Sequence, residues 1–227
     1  MQEYFDITYI WEAIPQLIPF LKVTFMVSGL SVLFGTVLGF ILVVMKLGTS
    51  KIAKKIANGY TTILRCTPSI VLLFLVYYGL PAIAGNFGTD LNNLHTAVFV
   101  VITFSLQIGA LMSEVMRTAY EAIDQGQYEA AVSVGLSPTQ AFRRIVLPQA
   151  FVVALPNFGN SLLELMKEGS LAYTIGLVDI MGKASLIISN NFNSHSLETY
   201  LALSLIYWVL SIFIEQFFSK LEKVYLL

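Results

Sequence analysis

Asn157, Asn160, Ser161, Glu164 and Glu168 fall at helical spacing on one face of an otherwise apolar segment. Arg65 opens another apolar run, Glu114 and Arg117 close a third, and Lys167 accompanies Glu168. An ionised group at the centre of a membrane helix costs about 2.5 to 3.5 kcal/mol on insertion scales, so such groups face a cavity or a partner. Three kinds of chemistry suit these residues. The stripe can hold a polar solute, it can bind a neighbouring helix through hydrogen bonds and ion pairs, or Glu114, Glu164 and Glu168 can relay protons in an ion-coupled carrier. Glu114 and Arg117, three residues apart, can also pair with each other. Pro156 removes one helical hydrogen bond and is expected to kink the segment, giving freed backbone groups to a cavity.

Covalent catalysis is excluded by what is missing. Gly159-Asn160-Ser161 is not a nucleophile elbow, and no Ser, His and acid share a membrane depth; His95 and His195 read as interfacial residues. No G-x-x-x-x-G-K-[ST] phosphate loop is present, and no Cys or His pair has zinc-ligand spacing beside the single Cys66. The chain is expected to be a non-enzyme with no cofactor and no metal of its own.

The elements that position these residues are spans. Of 227 residues, 56% are hydrophobic and 12% charged, against about a quarter charged in soluble domains. A net charge of -1 gives no electrostatic case for nucleic acid. A spanning helix needs roughly 20 apolar residues, which predicts an all-α membrane protein with five transmembrane helices at 19–46, 62–84, 94–119, 145–169 and 198–219 in a single domain over 1–227. An inner loop then lies at 120–147 and an outer loop, with an interfacial helix, at 172–197. The acidic start, with Glu3, Asp6 and Glu12, does not read as a cleaved signal. Lys46, Lys51, Lys54, Lys55, Arg117, Arg143, Arg144, Lys220 and Lys223 supply nine of the thirteen basic residues and all fall in inner segments if the N-terminus is outside and the C-terminus cytoplasmic. Five spans with no internal repeat argue against a complete secondary transporter. Ser31, Gly35 and Gly39 form a small-residue ridge suited to close helix packing, within the chain or against a second subunit.

The segment Gln127 to Gln149 reads as two short helices in an angled pair. Gly135 supplies a residue able to adopt positive φ at a helix end, and Ser137-Pro138 is an N-cap followed by a first-turn proline. Such a capped knob exposes Glu129 and Leu136 away from lipid, which suits docking of a soluble partner as well as a plain amphipathic connector.

Glu129-Ala130-Ala131, then three residues, Gly135, nine residues, Ile145, one residue and Leu147-Pro148 resembles the EAA loop of ABC importer permeases. Arg65-Cys66-Thr67-Pro68, Tyr77-Tyr78-Gly79-Leu80-Pro81, Ser113-Glu114 with Arg117, and Pro156, Asn157, Asn160 with Lys167-Glu168-Gly169-Ser170-Leu171 resemble elements of the polar amino-acid uptake permeases. Gly126-Gln127 and Pro148-Gln149-Ala150 are similar too, and the likeness covers about residues 15 to 215. Cys66 replaces the usual Gly and Gly169 the usual Thr or Ser.

The resemblance implies a type I ABC importer architecture in a bacterial cytoplasmic membrane. It also implies two ABC ATPase subunits that carry ATP and Mg, a second permease subunit, homo- or heterodimeric, and an extracytoplasmic substrate-binding protein. Glu129, Ala130, Ala131, Gly135 and Leu136 would be the ATPase-coupling residues. Arg65, Glu114, Asn157, Asn160, Glu164, Glu168 and Ser170 are the candidates for contact with a polar amino acid, whose ammonium needs a carboxylate or carbonyl and whose carboxylate needs a donor. Glu164 stands where the family more often has a small or apolar residue, which marks it as a specificity determinant. The stretch His195-Ser196-Leu197-Glu198-Thr199-Tyr200-Leu201-Ala202-Leu203-Ser204, with Gly135 to Pro148, most resembles permeases for cystine and related sulfur amino acids.

Overall fold

A computed structural model describes residues 5–225, which are helical throughout apart from short turns. Helix α1 (Ile7–Leu17) is capped by Asp6, whose carboxylate accepts the Thr8 N–H at 2.9 Å. A 3-10 turn through Pro19 leads into α2 (Leu21–Leu47). Together they form one long apolar segment, Ile7–Leu47. Ser50 caps α3 (Lys51–Cys66), accepting from Ala53 N–H at 3.3 Å.

Pro68 disfavours helical backbone at the residue before it, and Thr67 is extended at φ -90, ψ 125. The chain therefore turns by 108° between α3 and α4 (Ser69–Gly85). The expected span at 62–84 is thus divided at its start, and Arg65 belongs to the end of α3. Helix α5 (Thr96–Glu121) begins at His95, whose Nδ1 accepts the Ala97 N–H at 3.1 Å. After α6 (Gln125–Ser133) and α7 (Pro138–Ala141), a π turn over Phe142–Val146 enters α8 (Leu147–Glu168), which runs on through Pro156 as one helix. A 3-10 segment (Gly169–Ile175) and α9 (Ile180–Asn190) precede α10 (Ser196–Tyr225). Among the described residues, four helical segments are long and apolar enough to cross a membrane, and the bent α3–α4 pair would make a fifth.

Two apolar clusters hold this arrangement. Val27 of α2, Leu73 of α4, Val100, Phe104, Ile108 and Met112 of α5 and Leu165 of α8 form one. Ile10 and Leu17 of α1, Ile180, Ala184 and Ile187 of α9, and Ala202, Leu203 and Ile206 of α10 form the other. The helix expected to be interfacial within 172–197 is therefore packed between α1 and α10. Association of helices in lipid depends on close packing rather than on expelling water, and the small-residue ridge supplies it inside the chain. A Cβ on Gly35 would lie 2.6 Å from Ile108 Cγ2, and one on Gly39 would lie 2.7 Å from Met112 Cβ. From the other side, a Cβ on Gly109 would meet Leu38 Cδ2 at 2.7 Å. Helices α2 and α5 interlock through these glycines, while Leu33, Phe34, Val37, Phe40, Ile41 and Val44 stay exposed on the opposite side of α2.

Candidate functional site, a charged cavity and a helical knob

The break after α3 leaves space beside α5 and α8. A cavity of about 460 Å³ opens there, lined by the Arg65 to Ser69 corner, by Gln107, Ile108 and Leu111 of α5, and by Ser161, Glu164, Leu165 and Glu168 of α8. The α8 residues recur at three- and four-residue steps, so one face of that helix forms one wall. Among the described residues, Arg65, Glu164 and Glu168 have no ion-pair partner. Gln107 Nε2 donates to Ser69 Oγ at 2.6 Å, tying α5 to the first turn of α4. Its Oε1 is buried with no hydrogen-bond partner among the described residues. The Ser161 hydroxyl donates to Asn157 O at 2.8 Å.

A second cavity of about 390 Å³ shares Arg65 and Cys66 with the first and is completed by Asn58, Thr61, Thr62 and Glu114. Glu114 is already engaged. Its Oε1 lies 2.5 Å from Lys46 Nζ, and its Oε2 accepts from Arg117 Nη2 at 2.6 Å and Nε at 3.0 Å. Arg117 also pairs with Glu121 at 2.5 Å, and Lys46 donates to Ser113 Oγ at 2.8 Å. The Glu114–Arg117 pair read from spacing is present, but with Lys46 as a third, buried member.

Of the seven candidate contact residues, the structure brings Arg65, Glu164 and Glu168 to one cavity and Arg65 with Glu114 to the other. Asn157, Asn160 and Ser170 line neither. Both asparagines are exposed on α8, and the Ser170 hydroxyl donates to Lys167 O at 2.6 Å. Gln107 and Ser69 escaped the sequence reading. A lone amide within the apolar run of α5 was the signal that could have found Gln107.

The knob is built as its residues dictate. Gly135 takes φ +95, Leu136 N–H donates to Ala131 O at 3.2 Å, and Gly135 N–H donates to Val132 O at 3.0 Å, which is a Schellman ending to α6. Ser137 then opens α7 with a full capping box: its N–H donates to Gln140 Oε1 at 2.9 Å, and its hydroxyl accepts the Gln140 N–H at 3.3 Å. Glu129, Ala130 and Gly135 are exposed. Ala131 is 7% exposed and Leu136 is half-buried, because the Schellman bond folds Leu136 back toward Ala131. The most exposed apolar side chain of the knob is Val134, at 82% exposure.

Residues 31–224 match the family described as "Binding-protein-dependent transport system inner membrane component". This chain belongs to that family, whose members are permease subunits and not ATPases. It is 41% identical to the L-cystine transport system permease protein TcyL of Bacillus subtilis, over 98% of this chain and 92% of that one. It is 38% identical to the probable amino-acid ABC transporter permease protein PatM of Vibrio harveyi, over 90% and 89%. A solved structure titled "Crystal structure of an amino acid ABC transporter with histidines" superposes with a TM-score of 0.84 at 28% identity, covering 97% of this chain and 99% of that one. The architecture is that of a type I ABC importer permease, an assembly that implies ATPase and substrate-binding protein partners. The comparisons lend no support to an ion-coupled carrier.

Proposed function

We propose that this chain forms the translocation path of an ATP-driven importer for a polar amino acid of the cystine class. The observation that carries the proposal is the cavity in which an unpaired Arg65 guanidinium shares the walls with two unpaired carboxylates, Glu164 and Glu168. Guanidinium suits a solute carboxylate through paired N–H bonds, and carboxylates suit ammonium groups. Cystine carries two ammonium groups, which matches two carboxylates better than a monoamino acid does. The likeness to a cystine permease supports the same reading.

In this proposal the N-terminus is extracytoplasmic, so Lys46, Arg117, Arg143 and Arg144 lie toward the cytoplasm, as the basic-residue rule expects. The α6–α7 knob docks on the ATPase through Glu129, Ala130, Gly135 and Leu136, and the exposure of Val134 supports including it in the same contact. Two such chains, or this chain and a similar one, pair with two ATPase subunits in a bacterial cytoplasmic membrane. ATP-driven closure of the ATPases biases the permease between two conformations of unequal solute affinity. The test is uptake of labelled cystine into proteoliposomes holding the permease, its ATPase and its binding protein. Accumulation that needs ATP and ignores a protonophore supports the proposal. Accumulation that persists without the ATPase and collapses with the protonophore overturns it.

A further inference from the structure

The two cavities share one wall. Arg65 and Cys66 line both, and no other lining residue is shared: Ser69, Gln107, Ser161, Glu164 and Glu168 are among those on one side, and Asn58, Thr61, Thr62 and Glu114 are on the other. Along α5, Glu114 lies seven residues beyond Gln107, which is about 10 Å at the helical rise. Along α3, Asn58 lies seven residues before Arg65, toward Lys51. Both helices thus place the second cavity nearer the end that carries Lys46, Arg117 and the knob.

We propose that the second cavity is a weaker exit station for the same zwitterionic solute, and that Arg65 keeps hold of the solute carboxylate as the solute passes from one cavity to the other. This rests on the reading of the first cavity given above. The second cavity differs in what it offers an ammonium group. Among the described residues Glu164 and Glu168 have no cationic partner, Glu168 being met only by the neutral Ser69 and Gln107 side chains, whereas both oxygens of Glu114 are engaged by Lys46 and Arg117. The Thr61 hydroxyl donates to Ala57 O at 2.7 Å. Thr61 is buried as well, so the acceptors exposed to the cavity are the neutral oxygens of Asn58 and Thr62. A long, unpaired guanidinium can swing between the two sides without breaking an ion pair. Its solute meets charge-assisted acceptors first and neutral ones afterwards, and hydrogen bonds to neutral groups are about half as strong. Affinity accordingly declines along the path, which favours release.

The experiment uses the complete transporter with its ATPase and binding protein in proteoliposomes, reading kcat and KM for ATP-driven uptake of labelled cystine. Asn58→Leu combined with Thr62→Val is expected to lower kcat by roughly three- to tenfold with KM nearly unchanged. Asn58→Gln with Thr62→Ser, which keep the oxygens, should stay near wild type. A rise in KM at constant kcat, or no change at all, overturns the exit station. Glu164→Gln and Glu168→Gln separate the two proposals. A raised KM in these variants beside wild-type behaviour of the Asn58→Leu, Thr62→Val protein removes the second station alone. An unchanged KM in both glutamate variants removes the first cavity as a solute site, and the exit station with it.

Discussion

Lys46 Nζ lies 2.5 Å from Glu114 Oε1, joining the last turn of α2 to the last third of α5, and the lysine side chain is only 2% exposed. An ammonium so buried is tolerable only because Glu114 and the Ser113 hydroxyl both receive it. Removing one partner of a buried pair leaves the other charge uncompensated, at a cost of about 3 to 5 kcal/mol. Glu114→Gln strands Lys46 and is therefore expected to destabilise the protein strongly. Lys46→Met is milder, since Glu114 is 21% exposed and keeps Arg117. Thermal unfolding of the detergent-solubilised permease checks the order, and equal losses in both variants would show that Lys46 is not held by this pair.

Gly135 is the backbone hinge of the knob. At φ +95 a β-branched residue is strained by about 1 to 3 kcal/mol, while Asn tolerates the region better. Among the described residues no atom lies within 4 Å of a Cβ built there, so the penalty is conformational and not a clash. Gly135→Val is expected to unwind the Schellman turn and uncouple the ATPase: hydrolysis continues while cystine uptake per ATP falls several-fold. Gly135→Asn should retain most of the coupling. The ratio of transported solute to released phosphate reads both, and a normal ratio in the valine variant would rule out a coupling role for this turn.

The glycines of the α2–α5 contact should separate from glycines in open positions. Gly39→Ala forces Met112 or the backbone beside Gly109 and Ser113 to shift, an overpacking cost of about 1 to 3 kcal/mol. Among the described residues nothing lies within 4 Å of a Cβ on Gly59, in the middle of α3, where Ala should stabilise by about 0.5 to 1 kcal/mol. Melting temperatures of the two variants are expected to move in opposite directions. A fall in both would mean that α3 is covered by another chain at Gly59.

What could be read from residues alone follows from where the constraint resides. Gly135, Ser137 and Pro138 act through their own backbone conformation and nearest hydrogen bonds, so their roles were visible in order along the chain. The pairing of Glu114 with Arg117 is likewise local. Lys46 joins them from 68 positions away, and as one of the basic residues of the inner segments it carries no local sign of a buried partner. The break at Thr67-Pro68 is encoded locally by proline, but an apolar run through Leu75 hid it by suggesting one continuous span. The α8 stripe was recognised as polar, yet periodicity could not tell that Glu164 and Glu168 share a cavity with Arg65 while Asn157 and Asn160 do not. That division depends on where α3 and α5 pack.

Asp179 gives a pH test. It is 2% exposed, caps α9 by accepting the Gly182 N–H at 2.9 Å, and receives Thr24 Oγ1 at 3.5 Å. Burial pushes its carboxyl above the ordinary carboxylate range in spite of these bonds. The folded state therefore holds this proton more tightly than the unfolded state, whose value is about 3.9. Stability from this group falls as pH rises from that value through the folded one, and is flat outside the window. Asp179→Asn keeps the cap and should remove this component, so the gap in melting temperature between variant and wild type is expected to widen in the variant's favour as pH rises. A constant gap would mean that Asp179 ionises in the folded protein as freely as in the unfolded chain.

Cys66 offers the most direct view of the cavity, because it is the single cysteine of the chain, is exposed, and lines both cavities beside Arg65. A small maleimide should label it readily in the reconstituted transporter. Cystine itself could exchange its disulfide with the thiol, so the protecting solute should be the thioether analogue, which lacks the S–S bond. If solute carboxylate sits on Arg65, labelling slows as the analogue fills the site, by roughly tenfold at ten times its Kd. Arg65→Gln should abolish the protection, read as the ratio of labelling rates with and without the analogue in the same variant, so that any effect of the lost guanidinium on the thiol itself cancels. Protection that survives in Arg65→Gln would move the carboxylate contact elsewhere. Labelling indifferent to the analogue at every concentration would place the transported solute outside this cavity.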